Sequence, residues 1–213
     1  MTNSMPDLRG IFPIVYTPFD AHGRIDEEDL GRLVDYLIAA GTHGLAGVGG
    51  ASECHKLTTE ERKWLARRTV ACAKGRVPVI VGTSATNTGE AVDLSRHAES
   101  VGAQAVFLTP PLYGSPTPES LAAHYGAVAA ALAIPVMIQD AQVTIAPAQM
   151  VRLAEMHPNL CYVKEEAADA GHRISEIKRL RPAMRILSGG SYLLDDLARG
   201  AQGAIPGSIG VAD

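Results

Sequence analysis

Eight short apolar runs recur along this chain, at residues 11–15, 44–48, 77–82, 103–108, 134–139, 160–164, 184–188 and 203–206. Runs such as "VPVIVG" and "IPVMIQ" are apolar throughout, the pattern of strands covered on both faces. The segments between them follow a helical period. After "RIDEED", Leu30, Leu33, Val34, Leu37 and Ile38 recur at helical spacing before Gly41. In "LTTEERKWLARRTVACAKG", Thr58 and Glu61 stand at capping-box spacing and Gly75 marks the end. "TNTGEAVDLSRHAESVG", "TPESLAAHYGAVAAALA", "APAQMVRLAEMH", "HRISEIKRL" and "SYLLDDLARG" bring the helices to seven.

Strands alternating with helices argue for βαβ units and a parallel sheet. Eight strands spaced roughly 25–30 residues apart are the repeat of a closed (β/α)₈ barrel. The expected fold class is therefore α/β, a TIM barrel forming a single domain over residues 1–213. An open doubly wound sheet is the alternative, but no GxGxxG follows the first strand. Such barrels take about 250 residues. This chain stops at Asp213, so the expected barrel is C-terminally short and lacks its last helix, leaving apolar surface on the eighth strand for partner subunits to cover.

Composition removes several function classes. The net charge of −4, with no basic cluster, gives no case for nucleic acid. Three cysteines without a CxxC pair argue against a zinc ribbon or a disulfide framework. Seven scattered histidines show no HExxH, so no metal is expected. The N-terminus has no secretory pattern, and no apolar run reaches the roughly 20 residues of a membrane span. The expected location is cytoplasmic, without a membrane partner.

One residue is out of place in this pattern. The sixth run, "LCYVK", ends on Lys164, followed by Glu165 and Glu166. A buried ammonium is costly unless paired or neutralised. In a barrel the active site lies at the carboxyl ends of the strands, where Lys164 falls. If it points into the barrel mouth, alternation sends Tyr162 the same way and brings Glu166 near. An amine held among apolar walls is a nucleophile toward a carbonyl and forms a Schiff base; Glu166 would then move protons. A surface lysine beside two surface glutamates is the other reading. A second feature, "GVGGASECHKLT", follows the second strand. Its glycines let backbone N–H groups approach an anion, although a Gly/Ser turn before a helix is also a common loop.

Together these stretches resemble the dihydrodipicolinate synthase / N-acetylneuraminate lyase family of class I aldolases and dehydratases. The resemblance runs through "GIFPIVYTPFDAHGRID", "AGTHGLAGVGGASECHKLTTEER", "VPVIVGTSATNTGEAV", "GAQAVFLTPPLYGSPTPESLAAHY", "IPVMIQD", "YVKEE", "RILSGG" and "GAQGAIPG". It implies a (β/α)₈ barrel followed by a helical domain, assembled as a homotetramer, working without a cofactor on a small 2-keto acid. Lys164 matches the family lysine and would form an imine with the C2 carbonyl of pyruvate or a relative. Gly189 of "RILSGG" and Ile205 of "GAIPG" would contact substrate.

Departures from the family matter as much. The carboxylate-binding turn, often G-T-T-G-E, reads Gly49-Gly50-Ala51-Ser52-Glu53 when anchored on Leu57-Thr58. Amides of Gly50 and Ala51 would still hold the carboxylate, with Ser52 beside them, but the first threonine hydroxyl of the proton relay is gone. An alternative register, Gly47 to Gly50, keeps the glycines and loses the acid. The fifth strand ends in Gln139-Asp140 where the synthases carry tyrosine-asparagine; a glutamine orients a hydroxyl or water but does not titrate. Tyr113 matches a family tyrosine with a shift of about one position. Glu166 stands where many synthases have alanine. This combination is similar to the branch that dehydrates 2-keto-3-deoxy sugar acids, with Glu166 removing the C3 proton and helping the C4 hydroxyl leave. The leading expectation is thus a Schiff-base lyase that dehydrates such an acid. The alternatives are a pyruvate-dependent aldolase or 4-hydroxy-tetrahydrodipicolinate synthase, and a non-catalytic degenerate barrel. Trp64 reads as packing, His55 as a solvated loop residue, and Arg62, Lys63, Arg67 and Arg68 as a solvated helix face.

Overall fold

Side-chain alternation along the strands divides the core into two shells. In the computed structural model, which describes residues 5–111, 116–141 and 143–207, the strands are β1 (Gly10–Ile11), β2 (Leu45–Gly47), β3 (Val79–Gly82), β4 (Ala105–Leu108), β5 (Val136–Asp140), β6 (Tyr162–Glu165), β7 (Arg185–Ser188) and β8 (Gly203–Ala204). Ile80, Phe107, Met137, Tyr162 and Leu187 point inward, into a cluster with Phe12, Ile14 and Ile205. Their neighbours Val79, Val81, Val106, Leu108, Val136, Ile138, Val163 and Ile186 point outward against the helices. Both faces are dry, so the runs lack polar alternation.

The helices are α1 (Glu27–Ala39), α2 (Thr59–Ala73), α3 (Thr88–Ser100), α4 (Pro118–Ala130), α5 (Pro147–Met156), α6 (Ala170–Leu180) and α7 (Leu193–Ala198). Their starts follow local chemistry. Asp26, Asn87 and Thr117 accept from the third amide beyond them. Thr58 and Glu61 form the expected capping box. Pro118 and Pro147 occupy first-turn positions, where the missing N–H costs nothing. Two single turns of 3₁₀ helix, 50–52 and 54–56, lie between β2 and α2 and were not expected.

All eight strands are parallel, in the order β1-β8-β7-β6-β5-β4-β3-β2. The ring closes where the chain beyond β1 meets β2. Phe12 N and Ile14 N donate to Ala204 and Pro206 on the β8 side. Val15 N donates to Ala46 O, and Ala46 N to Pro13 O, each at 2.8 Å, on the other side. The fold is the expected TIM barrel. No helix among the described residues is long and apolar enough to cross a membrane.

The amino end of the barrel is plugged by the chain's own start. The buried Tyr162 hydroxyl accepts from Leu8 N at 2.8 Å and donates to Pro6 O at 2.6 Å. Arg185 lies 5.2 Å from the centre of the same ring. Tyr162→Phe leaves the buried Leu8 amide unpartnered, and urea denaturation is expected to show a loss of about 1–3 kcal/mol.

Candidate active site

The alternation that turns Tyr162 inward and Val163 outward turns Lys164 inward again. Its side chain is 3% exposed, and its Nζ lies 2.8 Å from Glu166 Oε2. The Phe107 ring centre is 5.9 Å below the ammonium. The other Glu166 oxygen accepts from Gln139 Nε2 at 2.5 Å. Gln139 and Lys164 are register partners on β5 and β6, so ammonium, carboxylate and amide form one connected group. The buried charge is paired, as burial requires.

Glu166 stands close because the opposing residue has no side chain. A Cβ built on Gly189 would lie 2.5 Å from the Glu166 Cβ. Gly189 N donates to Glu165 O at 2.7 Å, holding the two strand ends together. Gly189 thus makes room for Glu166, and the cavity it lines is a neighbouring one.

Lys164, Glu166 and Gln139 line a cavity of about 430 Å³ at the carboxyl end of the barrel, together with Gly50 and Ala51. That volume falls in the range of small-molecule sites. Gly50 and Ala51 head the first 3₁₀ turn, where helix geometry leaves an N–H without a partner carbonyl. The turn is reached through Val48, held at φ 58°, a left-handed conformation that strains a β-branched residue.

Ser52 and Ile205 are not among the lining residues. Ser52 is fully buried: its Oγ donates to Val15 O at 2.6 Å and accepts from Gly49 N at 3.1 Å, tying the turn to the first strand. Ile205 packs in the inner core, its amide on Ser188 O. Tyr113 lies outside the described residues. The anion-binding turn at Gly50 and Ala51 and the lysine, far apart in sequence, do face one cavity.

The cavity also holds residues that the sequence did not single out: Ser84, Thr109 and Cys54. Ser84 and Thr109 sit just past β3 and β4, so the rule that placed Lys164 also applied to them, but a hydroxyl at a strand end carries no conspicuous signal. Burial pushes the Cys54 thiol up. His55 is exposed, as a loop histidine should be, and still touches the cavity rim. Trp64 packs against the sheet–helix core as expected. Arg62 departs from the expected solvated face: it is buried and donates to Ser84 O at 2.6 Å. Its helix turns that position toward the barrel rim, which charge counting along the sequence does not reveal.

Behind the cavity lies a second charged group. Asp140 and Glu165 point outward, on the opposite face from Gln139 and Lys164, and both carboxyl groups are fully buried. Arg173 of α6 contacts Asp140 Oδ2 and reaches Glu165 at 3.3 Å. Ile145 N and Ala167 N donate to the two carboxyl groups. One guanidinium balances one carboxylate, so burial favours a proton on this pair. Desolvation, with the Asp140 charge adding to it, pushes Glu165 up from 4.5 to about 8. Desolvation also raises Asp140.

The fold and the cavity at the strand ends define a barrel enzyme. The sequence profile of the dihydrodipicolinate synthetase family matches residues 7–212. The chain is 37% identical over 210 residues to the 4-hydroxy-tetrahydrodipicolinate synthase of Acidiphilium cryptum, covering 96% of this chain and 72% of that one. Among solved structures it resembles YagE, a prophage protein of this family from E. coli, determined in complex with pyruvate. There the TM-score is 0.88 at 32% identity, over 93% of this chain and 69% of that one. A putative dihydrodipicolinate synthetase from Pseudomonas aeruginosa superimposes with a TM-score of 0.91 at 29% identity, over 94% and 71%. The chain belongs to the dihydrodipicolinate synthetase family and is a lyase of its Schiff-base type.

The buried carboxyl pair predicts a pH effect. The native state holds the Glu165 proton up to about pH 8, whereas the unfolded chain releases it near 4.5. Stability from this group is complete below 4.5 and is lost as pH rises through 8. Unfolding free energy measured from pH 5 to 8.5 should fall less steeply in Glu165→Gln than in the wild type.

Proposed function

We propose that the chain forms an imine between Lys164 and the C2 carbonyl of pyruvate or a close 2-keto acid, and joins the resulting enamine to an aldehyde, or reverses that step. The observation that carries this reading is the buried Lys164 Nζ, 2.8 Å from a carboxylate at the floor of the cavity. Glu166 accepts a proton from the lysine, freeing an electron pair to attack C2. Glu166 passes that proton to the hydroxyl left on C2, which departs as water and leaves the protonated imine beside a free carboxylate. The protonated imine makes the C3 hydrogens acidic, and Glu166 takes one to give a neutral enamine. C3 then bonds to the aldehyde carbon, the aldehyde oxygen gains a proton, and water releases the product and the lysine. Gly50 and Ala51 amides hold the keto acid's carboxylate. Gln139 keeps Glu166 aimed between Nζ and C3. Similarity to synthases such as that of Acidiphilium cryptum puts condensation first.

Dehydration of a 2-keto-3-deoxy sugar acid is the second reading. It shares the enamine and differs in expelling the C4 hydroxyl. Gln139 and Glu166 favour it, because the synthases resembled here carry a tyrosine and often an alanine at those places, and a glutamine does not titrate. A product assay separates the two: carbon–carbon cleavage of 2-keto-3-deoxypentonate releases pyruvate, and dehydration releases none.

Borohydride reduction in the presence of pyruvate, followed by peptide mass spectrometry, should place an adduct on Lys164. Lys164→Ala should give none while keeping its circular dichroism. A wild-type chain that is folded and untrapped would sink the reading. Glu166→Gln should still be trapped but exchange pyruvate C3 hydrogens with deuterated water about 10²–10⁴-fold more slowly. Gly189→Ala should displace Glu166 and slow the same exchange about a hundredfold.

A further inference from the structure

Thr109 is the unexplained group in the cavity. It follows β4, lines the same space as Lys164 and is 8% exposed. Its Oγ1 is buried and has no hydrogen-bond partner among the described residues. A buried hydroxyl without a partner carries a desolvation cost that an isosteric valine would avoid. As a packing residue, then, threonine is the poorer choice here. As a ligand contact it is the better one.

Its placement is held by two neighbours. Thr109 N donates to Ser84 Oγ at 2.9 Å, and Ser84 O is fixed by the buried Arg62 at 2.6 Å. Leu108 pairs with Ile138, so the next residues, Thr109 and Gln139, stand side by side; Gln139 in turn pairs with Lys164. Hydroxyl, amide and ammonium thus occupy successive positions on β4, β5 and β6. Two inter-strand spacings, about 10 Å, separate the first from the last. The lysine side chain spans part of that gap from one side. A keto acid bound at C2 and carrying an oxygen on C4 spans the rest.

We propose that Thr109 is a catalytic residue of the second half-reaction, donating a hydrogen bond to the oxygen on C4 of the substrate. In condensation this oxygen gains negative charge as the C3–C4 bond forms. In cleavage it becomes the aldehyde oxygen, and in dehydration it leaves with its hydroxyl. A fixed donor stabilises the charge or the leaving group in each case. The net proton comes from Glu166, which carries the one removed from C3; Thr109 keeps its own. The proposal rests on the imine at Lys164 and adds the group that acts after it.

The test separates the two halves of the reaction. Wild type, Thr109→Val and Thr109→Ser are compared by borohydride trapping with pyruvate, and by C3 hydrogen exchange of pyruvate followed by proton NMR in deuterated water. Turnover is followed with pyruvate plus glycolaldehyde, pyruvate plus aspartate semialdehyde, and 2-keto-3-deoxypentonate. Thr109→Val should trap and exchange like the wild type and melt no lower. Its kcat for the substrates the wild type converts should fall about a hundredfold, and Thr109→Ser should restore most of it. Equal turnover in Thr109→Val overturns the proposal, and so does an equal loss of exchange and turnover. A wild type that exchanges C3 hydrogens and converts none of the substrates also overturns it. A wild type that is not trapped instead overturns the role of Lys164, a distinguishable failure.

Discussion

An ammonium buried at the end of a barrel strand has to be paired, and the carboxylate that pairs it constrains everything around it. Lys164 is held by Glu166, which lies just beyond the end of β6. For that residue to fold back over the barrel mouth, the end of β7 must give way. Gly189 does so by offering no Cβ. Gln139 then fixes the second oxygen, and the carboxylate is held from two sides. A charge pair buried this deeply is weak evidence of stabilisation, since desolvation offsets much of the attraction. Its retention makes physical sense if the amine is used.

Alternation gives β5 and β6 a second set of charges, facing the other way. Gln139 and Lys164 face the cavity; Asp140 and Glu165 face α6. The outer group anchors the ends of β5 and β6 to Arg173 and shields itself from the inner one by a layer of backbone. Both groups depend on register. A one-residue slip of β6 would put Glu165 or Val163 where Lys164 stands, depending on its direction, and in the second case would leave Arg173 facing an ammonium. The outer triad and the inner pair therefore select one register together.

Much of this was legible because it follows from short-range pattern. The apolar runs and their spacing located eight strands, and Thr58 with Glu61 marked the start of α2. Alternation tied the direction of Lys164 to that of Tyr162 but left open whether the two faced the barrel mouth, which only the packed inner core decides. What escaped depends on which elements meet. Ser52 sits in the expected anion turn, yet its hydroxyl is spent on Val15 O. Gly189 reads as a ligand contact in sequence and serves in space as clearance for Glu166. Arg62 looked like part of a charged face, and only the turn of α2 against the β3 end reveals its contact with Ser84. Thr109 was invisible because its distinguishing property, an unpartnered hydroxyl, exists only in the packed state.

The cavity's proton inventory bears on which chemistry follows the enamine. Among the described residues, Lys164 is paired with one carboxylate, which exchanges protons, and that carboxylate is bonded by one amide, which does not. On the proposed mechanism, the proton taken from C3 and the proton given to the C4 oxygen pass through this carboxyl group, one after the other. That order suits any reaction in which the two events are sequential and on one face of the enamine. Condensation, cleavage and dehydration all meet this condition. The choice among them then falls to whatever holds the C4 oxygen still while Glu166 serves both steps. Fixed hydroxyls on neighbouring strands suit that task better than a second acid, which would compete with Glu166 for the same proton.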